Sequence, residues 1–134
     1  MVDSETDATA GTNRTSGPET KTIVHDYYDT VDDERYDDLV ELFTEDVRYE
    51  RPGQGAITGR EALHEFYLEG RPLENGSHEV HDVVVDEQTN TAAVRGSFSG
   101  DQHGESVEFG FADFHELEDG RIARRYTFTD RDEV

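Results

Sequence analysis

Apolar residues recur at every second position in much of the segment from Glu105 to Phe128, the longest regular hydrophobic pattern in the chain. A period of two residues is typical of β-strands, because successive side chains point to opposite faces. Asp119-Gly120 is the dipeptide of a tight hairpin turn, and residues 121–129 are predicted to form the returning strand. The face expected to lie against the core consists of Val107, Phe109, Phe111, Asp113, His115 and Leu117. The opposite face consists of Glu108, Gly110, Ala112, Phe114 and Glu116.

The core face of this strand changes character halfway along. Asp113 and His115 replace aromatic residues there without breaking the alternation. Polar groups on such a face must line a cavity or find hydrogen-bond partners, because burying them unpaired is costly. The pattern therefore predicts a polar site or an internal polar cluster at this end of the strand.

Two helices are predicted near the start of the chain. Residues 16–19, Ser-Gly-Pro-Glu, resemble a capping box with an early proline, which favours a helix start. The first helix should bury Ile23, Val24, Tyr27, Tyr28 and Val31. A short second helix, closed by Glu45-Asp46, should bury Tyr36, Leu39, Val40 and Phe43.

A third helix is predicted after residue 58. Thr58 and Glu61 have the spacing of another capping box, and Gly70 is the expected end of the helix. Its inward-facing residues should be Ala62, Leu63, Phe66 and Tyr67.

The remaining segments are predicted to be strands. Residues 47–51 alternate until Pro52, with Val47, Tyr49 and Arg51 on one face. Residues 78–86 and 91–100 are rich in β-branched or small side chains and are joined by a polar turn. The predicted order is αα-β-α-ββββ, an α+β fold with three helices on a curved, mainly antiparallel sheet of four to five strands.

The charge of the chain limits its partners. Of 134 residues, 33 are Asp or Glu and 12 are Lys or Arg, so the formal net charge is -21. Self-repulsion of this size argues against nucleic acid or an anionic membrane as a partner. The acid-rich, lysine-poor composition resembles that of proteins from salt-loving archaea, in which salt screens the repulsion.

The length and composition of the sequence predict a single domain after a short acidic lead. Residues 1–17 have almost nothing to bury and are expected to be a disordered acidic lead, with a single domain at 18–130. The absence of cysteine excludes disulfides and thiol chemistry, and no segment has the roughly 20 apolar residues of a membrane span. We expect a cytoplasmic protein.

Several short motifs occur in a fixed order between about residues 20 and 130. They are Tyr27-Tyr28, Leu42-Phe-Thr-Glu-Asp46, Tyr49-Glu-Arg-Pro52, Gly59-Arg60, Phe66-Tyr67, Ala112-Asp-Phe-His115 and Glu118-Asp-Gly-Arg-Ile122. Together they resemble the NTF2-like superfamily, and within it the SnoaL-like and ketosteroid-isomerase-like proteins. The resemblance implies a cone-shaped fold around a pocket and a homodimer formed through the outer face of the sheet. It does not fix the function, because this fold hosts enzymes, binders and scaffolds.

The same resemblance implies roles for a few residues. In isomerase-like relatives a helix-one tyrosine and a late-strand aspartate donate hydrogen bonds to a substrate oxygen, and Tyr27 and Asp113 match them. Arg51 stands where those relatives have the aspartate that moves the proton. Because an arginine is not deprotonated at working pH, their usual proton shuttle is not available.

Arg51 and Asp113 have two interpretations. They could form an internal ion pair, since buried charges are normally paired. Alternatively, Arg51 could bind a carboxylate or enolate oxygen of a substrate, with Asp113 and Tyr27 beside it in one cavity.

Histidine is the only side chain of this sequence suited to act as a base near neutral pH. His115, two residues from Asp113 on the same face, is the first choice, and His78 is the second; either could instead be structural. His25, His64 and His103 are expected to be solvated. His78 and His81 should point to opposite faces of a strand, which argues against a metal site. No cofactor is predicted.

These observations lead to two hypotheses. The first is an enzyme that performs proton-transfer chemistry, such as isomerisation, dehydration, aldol-type cyclisation or hydrolysis, on a small apolar carbonyl compound. The second is a non-catalytic ligand-binding or dimerisation module. The predicted catalytic residues are Asp113, His115, Tyr27 and Arg51. The predicted ligand-binding residues, for which a purely structural role is the alternative, are Tyr49, Phe66, His78, Phe98, Phe109 and Phe111.

Overall fold

A computed structural model describes residues 16–131 and 133–134. Most of the predicted acidic lead therefore lies outside the described residues. The elements are α1 (Gly17–Asp32), α2 (Tyr36–Val40), β1 (Phe43–Glu50), β2 (Ile57–Thr58), α3 (Arg60–Glu65) with a π-helical turn (Phe66–Gly70), β3 (Leu73–Asp86), β4 (Thr91–Gln102), β5 (Glu105–Glu118) and β6 (Arg121–Thr129). Within the described part of the chain, no helix is both long and apolar enough to cross a membrane.

The start of α1 is the predicted capping box. The Ser16 side chain accepts a hydrogen bond from the backbone N–H of Glu19, and the Glu19 carboxylate accepts one from the Ser16 N–H, both at 3.2 Å. Pro18 fits the first turn, where its missing N–H has no helical partner to lose. The buried face of the helix carries the pair Tyr27 and Tyr28 into the interior.

The second helix is shorter than predicted. Phe43 was expected to be helical, but it begins β1 and is fully buried. The backbone of Leu42 already accepts a hydrogen bond from Ile122 of β6 at 2.8 Å. Because Leu42 already pairs with the sheet, the helix ends before Glu45 and Asp46, which were predicted to close it.

The third helix also differs from the prediction at its start. Thr58 does not cap it, because Thr58 belongs to β2 and pairs with Arg48. Gly59 precedes the helix with a φ of 92°, a conformation that favours glycine. Ala62 is exposed and not inward-facing, whereas Leu63, Phe66 and Tyr67 are buried as predicted.

All six strands form one sheet in the order β2-β1-β6-β5-β4-β3. Every neighbouring pair is antiparallel except β1 and β6, which are parallel. The predicted α+β class and element order are confirmed, with β2 as an additional short strand. The predicted core face of β5 is buried at Phe109, Phe111, Asp113, His115 and Leu117.

Candidate functional site

A small cavity lies between α1 and the buried face of the sheet. The space inside it that a water-sized sphere can occupy is about 20 Å³, enough for about one water molecule, so a larger ligand must displace some of the lining side chains. Its walls come from α1, the five longer strands, the segments after β1 and before β3, and residue 134. The lining residues are Tyr27, Tyr49, Arg51, Arg71, Leu73, His78, Phe98, Phe109, Phe111, Asp113, Arg125, Thr127 and Val134.

Asp113 is held by three hydrogen-bond donors on one side of the cavity. Its Oδ2 accepts from the Tyr28 hydroxyl at 2.5 Å and from Arg125 at 2.8 Å, and its Oδ1 accepts from the Thr127 hydroxyl at 2.6 Å. Burial by itself would raise the pKa of Asp113, but the Arg125 charge and the hydrogen bonds outweigh it and lower that pKa. Asp113 is therefore an ionised, fully bonded carboxylate.

The anticipated ion pair between Arg51 and Asp113 is not formed, because Arg125 takes that position. Arg51 instead donates from Nε to the backbone oxygen of Val134 at 2.6 Å and from Nη1 to the Tyr49 hydroxyl at 3.1 Å. Its guanidinium also lies 4.8 Å from the centre of the Phe66 ring. Arg51 and Asp113 line the same cavity but have separate partners.

His115 lies behind this cluster, outside the residues that line the cavity. It is completely buried, and its Nε2 is 3.1 Å from the Tyr28 hydroxyl. Burial, reinforced by the Arg125 charge, lowers the pKa of His115 to about 3. The ring is thus neutral at pH 7, and since the Tyr28 proton is directed at Asp113, Nε2 is the donor to Tyr28.

His78 is the histidine that reaches the cavity. Its Nδ1 is 2.6 Å from Oδ1 of Asp32, the last residue of α1, and its backbone N–H donates to Oδ2 of the same carboxylate at 2.8 Å. The His78 side chain is only 8% exposed and packs against the rings of Phe98 and Phe111. Burial lowers the pKa of His78, although Asp32 partly opposes this effect.

The other four histidines lie away from the cavity. His25 is exposed on α1, His64 and His103 contact Asp37 and Glu133 at the surface, and the His81 side chain is 39% exposed. Within residues 16–131 and 133–134, no group of three potential metal ligands comes together.

The two predicted tyrosines bond to neighbouring side chains. The hydroxyls of Tyr27 and Tyr67 are 2.6 Å apart, and that of Tyr49 is 2.8 Å from Thr127 Oγ1. The guanidinium of Arg125 lies over the rings of Tyr27 and Tyr49, 4.2 and 4.5 Å from their centres. Burial strongly raises the pKa of Tyr27, so its hydroxyl stays protonated and can donate or accept a hydrogen bond.

Of the ten residues predicted from the sequence to form the site, only His115 and Phe66 do not line the cavity. Both are buried next to it, Phe66 against Arg51 and His115 against Tyr28. The other eight, Tyr27, Tyr49, Arg51, His78, Phe98, Phe109, Phe111 and Asp113, line the cavity together.

Sequence reasoning missed several residues of the site. Asp32 begins an acidic run that is typical of a solvated turn, and Arg71 lies in a connection between a helix and a strand. The adjacent arginines 124 and 125 could not be told apart by pattern. Also unrecognised were Tyr28, Thr127 and Val134.

The fold and the site together define the class of this protein. It is a small α+β protein in which helices cover one face of a sheet, and polar and aromatic residues line a cavity between them. The sequence profile of the SnoaL-like domain matches residues 24–125, so the chain belongs to the SnoaL-like domain family. No curated protein matches the chain by sequence.

Solved structures show the same fold. A protein described as a SnoaL-like polyketide cyclase from Jannaschia sp. CCS1 superposes with a TM-score of 0.74 at 19% identity, covering 87% of this chain and 90% of that one. An LEH-like epoxide hydrolase of M. tuberculosis gives 0.73 at 19% identity, with 84% of each chain covered. A protein described as a ketosteroid isomerase from Kribbella flavida gives 0.69 at 27% identity, covering 85% of this chain and 79% of that one. The predicted NTF2-like, SnoaL-like fold is thereby confirmed.

Proposed function

We propose that the protein is an enzyme that moves a proton on a small apolar carbonyl compound, with His78 as the general base. The observation that carries this proposal is that His78, which lines the cavity, is bonded through Nδ1 to Asp32, which lies outside the lining. A histidine oriented by a carboxylate and facing a ligand cavity is an arrangement suited to general base catalysis.

The hydrogen bond to Asp32 determines which nitrogen of His78 can act. A carboxylate only accepts hydrogen bonds, so Nδ1 carries the proton of the neutral ring. The lone pair is then on Nε2, the nitrogen on the opposite edge of the ring. Because burial lowers the pKa of His78, the ring is in this neutral, proton-accepting form at pH 7.

The rest of the cavity suits the developing negative charge of an enolate. Arg125 donates to Asp113 through Nη2 only, and its buried Nε and Nη1 have no hydrogen-bond partner among the described residues. Phe98, Phe109 and Phe111 supply an apolar wall in which such donors act more strongly than in water. The three relatives described as a cyclase, a hydrolase and an isomerase all belong to reaction classes that depend on proton transfer, which supports this class of chemistry here.

A second candidate function is a non-catalytic ligand-binding module. It is favoured by Arg51, which stands where isomerase-like relatives have their base, and by the three donors that fully occupy Asp113. Under this alternative, His78 and Asp32 only fix the end of α1 to β3.

Deuterium exchange distinguishes the two. The protein is incubated in D₂O with 2-tetralone and related aryl ketones, and loss of the α-proton signal is followed by NMR. We expect catalysed exchange by the wild type and a loss of about 10²-fold or more in His78→Asn. His81→Asn is the matched control, since His81 lies three residues away on β3 and its side chain is 39% exposed. Failure of the wild type to catalyse exchange of any ketone, or equal rates in His78→Asn, would leave the binding module as the function.

A further inference from the structure

The arginines of the cavity differ in what neutralises them. Arg125 is paired with the Asp113 carboxylate, and Arg51 is bonded to the backbone oxygen of Val134 and to a hydroxyl. Arg71 also lines the cavity, and it has no salt bridge to any carboxylate in residues 16–131 and 133–134. Its Nε is buried without a hydrogen-bond partner there.

This absence is unexpected in so acidic a chain. With 33 carboxylate side chains for 12 basic ones, an acidic partner for Arg71 would be easy to supply. A partly buried guanidinium without a counter-charge costs free energy, because it loses hydration and gains no ion pair. The cost is offset if a ligand brings the missing anion.

Arg71 and the proposed base pack against the same aromatic ring. Its guanidinium carbon is 5.8 Å from the centre of the Phe98 ring, and the His78 ring is 5.0 Å from the same centre. The positive charge of Arg71 is one of the influences that lower the pKa of His78. A ligand held at Arg71 would therefore share the Phe98 wall of the cavity with His78.

We infer that Arg71 is the anion-binding residue of the cavity, and that the ligand is a small apolar carboxylic acid, ionised at neutral pH. A planar guanidinium matches a carboxylate through paired hydrogen bonds, and the aromatic wall accepts the apolar remainder of the molecule. The inference rests on the proposed function in taking this cavity as the ligand site. It does not require His78 to be a catalyst.

Calorimetric titration with trans-cinnamate, 3-phenylpropionate and benzoate tests the inference. Cinnamamide is the neutral counterpart of cinnamate and has nearly the same shape. We expect at least one of the acids to bind, and cinnamate to bind about tenfold or more tightly than cinnamamide. Equal affinities for cinnamate and cinnamamide, or no binding of any of the three acids, would overturn the inference.

Variants of Arg71 and of a surface arginine test whether Arg71 contacts the carboxylate of the ligand. Arg71→Met should weaken the binding of cinnamate about tenfold, whereas Arg48→Met, which removes the same charge from a side chain bonded to Glu50 at the surface, should not change it. If Arg71→Met does not fold, Arg71→Gln gives the same comparison. Unchanged affinity in the Arg71 variant would refute the assignment.

The two proposals can fail separately. Exchange without selective binding of the acids would disprove the role of Arg71 alone, and selective binding without exchange would disprove the role of His78 alone.

Discussion

Arg125 donates a hydrogen bond to Asp113 across two neighbouring strands, with side chains that are only 3% and 1% exposed. Both charges are almost completely removed from water. A buried pair of this kind contributes little net stability compared with apolar residues of the same volume, but breaking it leaves a buried charge unpaired.

We predict that Arg125→Met destabilises the protein by about 3–5 kcal/mol. The double variant Arg125→Met with Asp113→Leu should cost less than the sum of the two single changes, because no charge is then left alone. Denaturant unfolding of the four proteins measures this coupling. Additive costs would show that the pair does not act as a unit.

A control pair lies on the outer face of the same two strands. Arg124 and Glu116 are 3.5 Å apart, and their side chains are 49% and 38% exposed. Removing them singly or together should change the free energy of unfolding by about 0–1 kcal/mol.

The buried histidine predicts how stability depends on pH. In the unfolded chain His115 takes up a proton below its ordinary pKa of 6.5, whereas in the folded protein it does so only near pH 3. Between these values the unfolded state binds more protons, so stability falls as the pH falls. His115→Gln should reduce the slope of unfolding free energy against pH in this window by up to about 1.4 kcal/mol per pH unit.

His25→Gln is the control for this measurement, since His25 is exposed on α1. Unfolding by denaturant at a series of pH values is compared for the three proteins. If the His115 variant keeps the full slope of the wild type, His115 is not neutral in the folded state.

The acidic composition predicts a dependence on salt. A formal charge of -21 on one chain is poorly screened in dilute buffer, so the repulsion favours the unfolded state. We expect the melting temperature to rise across a series of potassium chloride concentrations. A melting temperature that does not rise would remove the basis for comparing this composition with proteins of salt-loving archaea.

The outer face of the sheet predicts a homodimer. Phe114 and Phe128 are 41% and 58% exposed, and their rings form an edge-to-face pair with centres 5.9 Å apart. An apolar patch of this kind is typical of a contact surface. Light scattering should show twice the 15.2 kDa mass of the chain for the wild type and the single mass after Phe114→Ser with Phe128→Ser.

Leu68→Ser provides the comparison for the dimer. Leu68 is 53% exposed but belongs to the π-helical turn, not to the sheet. The Leu68→Ser variant should have the same mass in light scattering as the wild type. A wild-type protein that is monomeric at all concentrations would contradict the prediction.

The sequence was sufficient to find the buried polar residues of β5, Asp113 and His115, but not Arg125, which pairs with Asp113. Alternation placed Asp113 and His115 on the core face, and both are buried. A regular hairpin around Asp119-Gly120 would have paired His115 with Arg124. In the structure Leu117 pairs with Ile122 and Glu116 with Arg124, so Ala123 is an extra, unpaired residue.

This bulge turns Arg125 inward and Arg124 outward. Such a shift changes the face of every later residue of the strand, which a period of two cannot reveal. The pairing of Asp32 with His78 was hidden for another reason. It joins residues 46 positions apart. It also depends on where the end of α1 meets β3, and no local sequence pattern predicts that position.

The cavity is lined by three arginines and one carboxylate, whereas the chain as a whole has a formal charge of -21, so the cavity and the whole protein have net charges of opposite sign. An anionic ligand would be repelled while it approaches the surface and attracted only after it enters the cavity. Added salt screens the long-range repulsion more strongly than the short contact with Arg71, because the buried contact excludes ions. Association of such a ligand should therefore become faster as salt is added, while its dissociation rate changes little. The negative charge of the surface would then determine the association rate of the ligand, and the positive charge of the cavity would determine its dissociation rate.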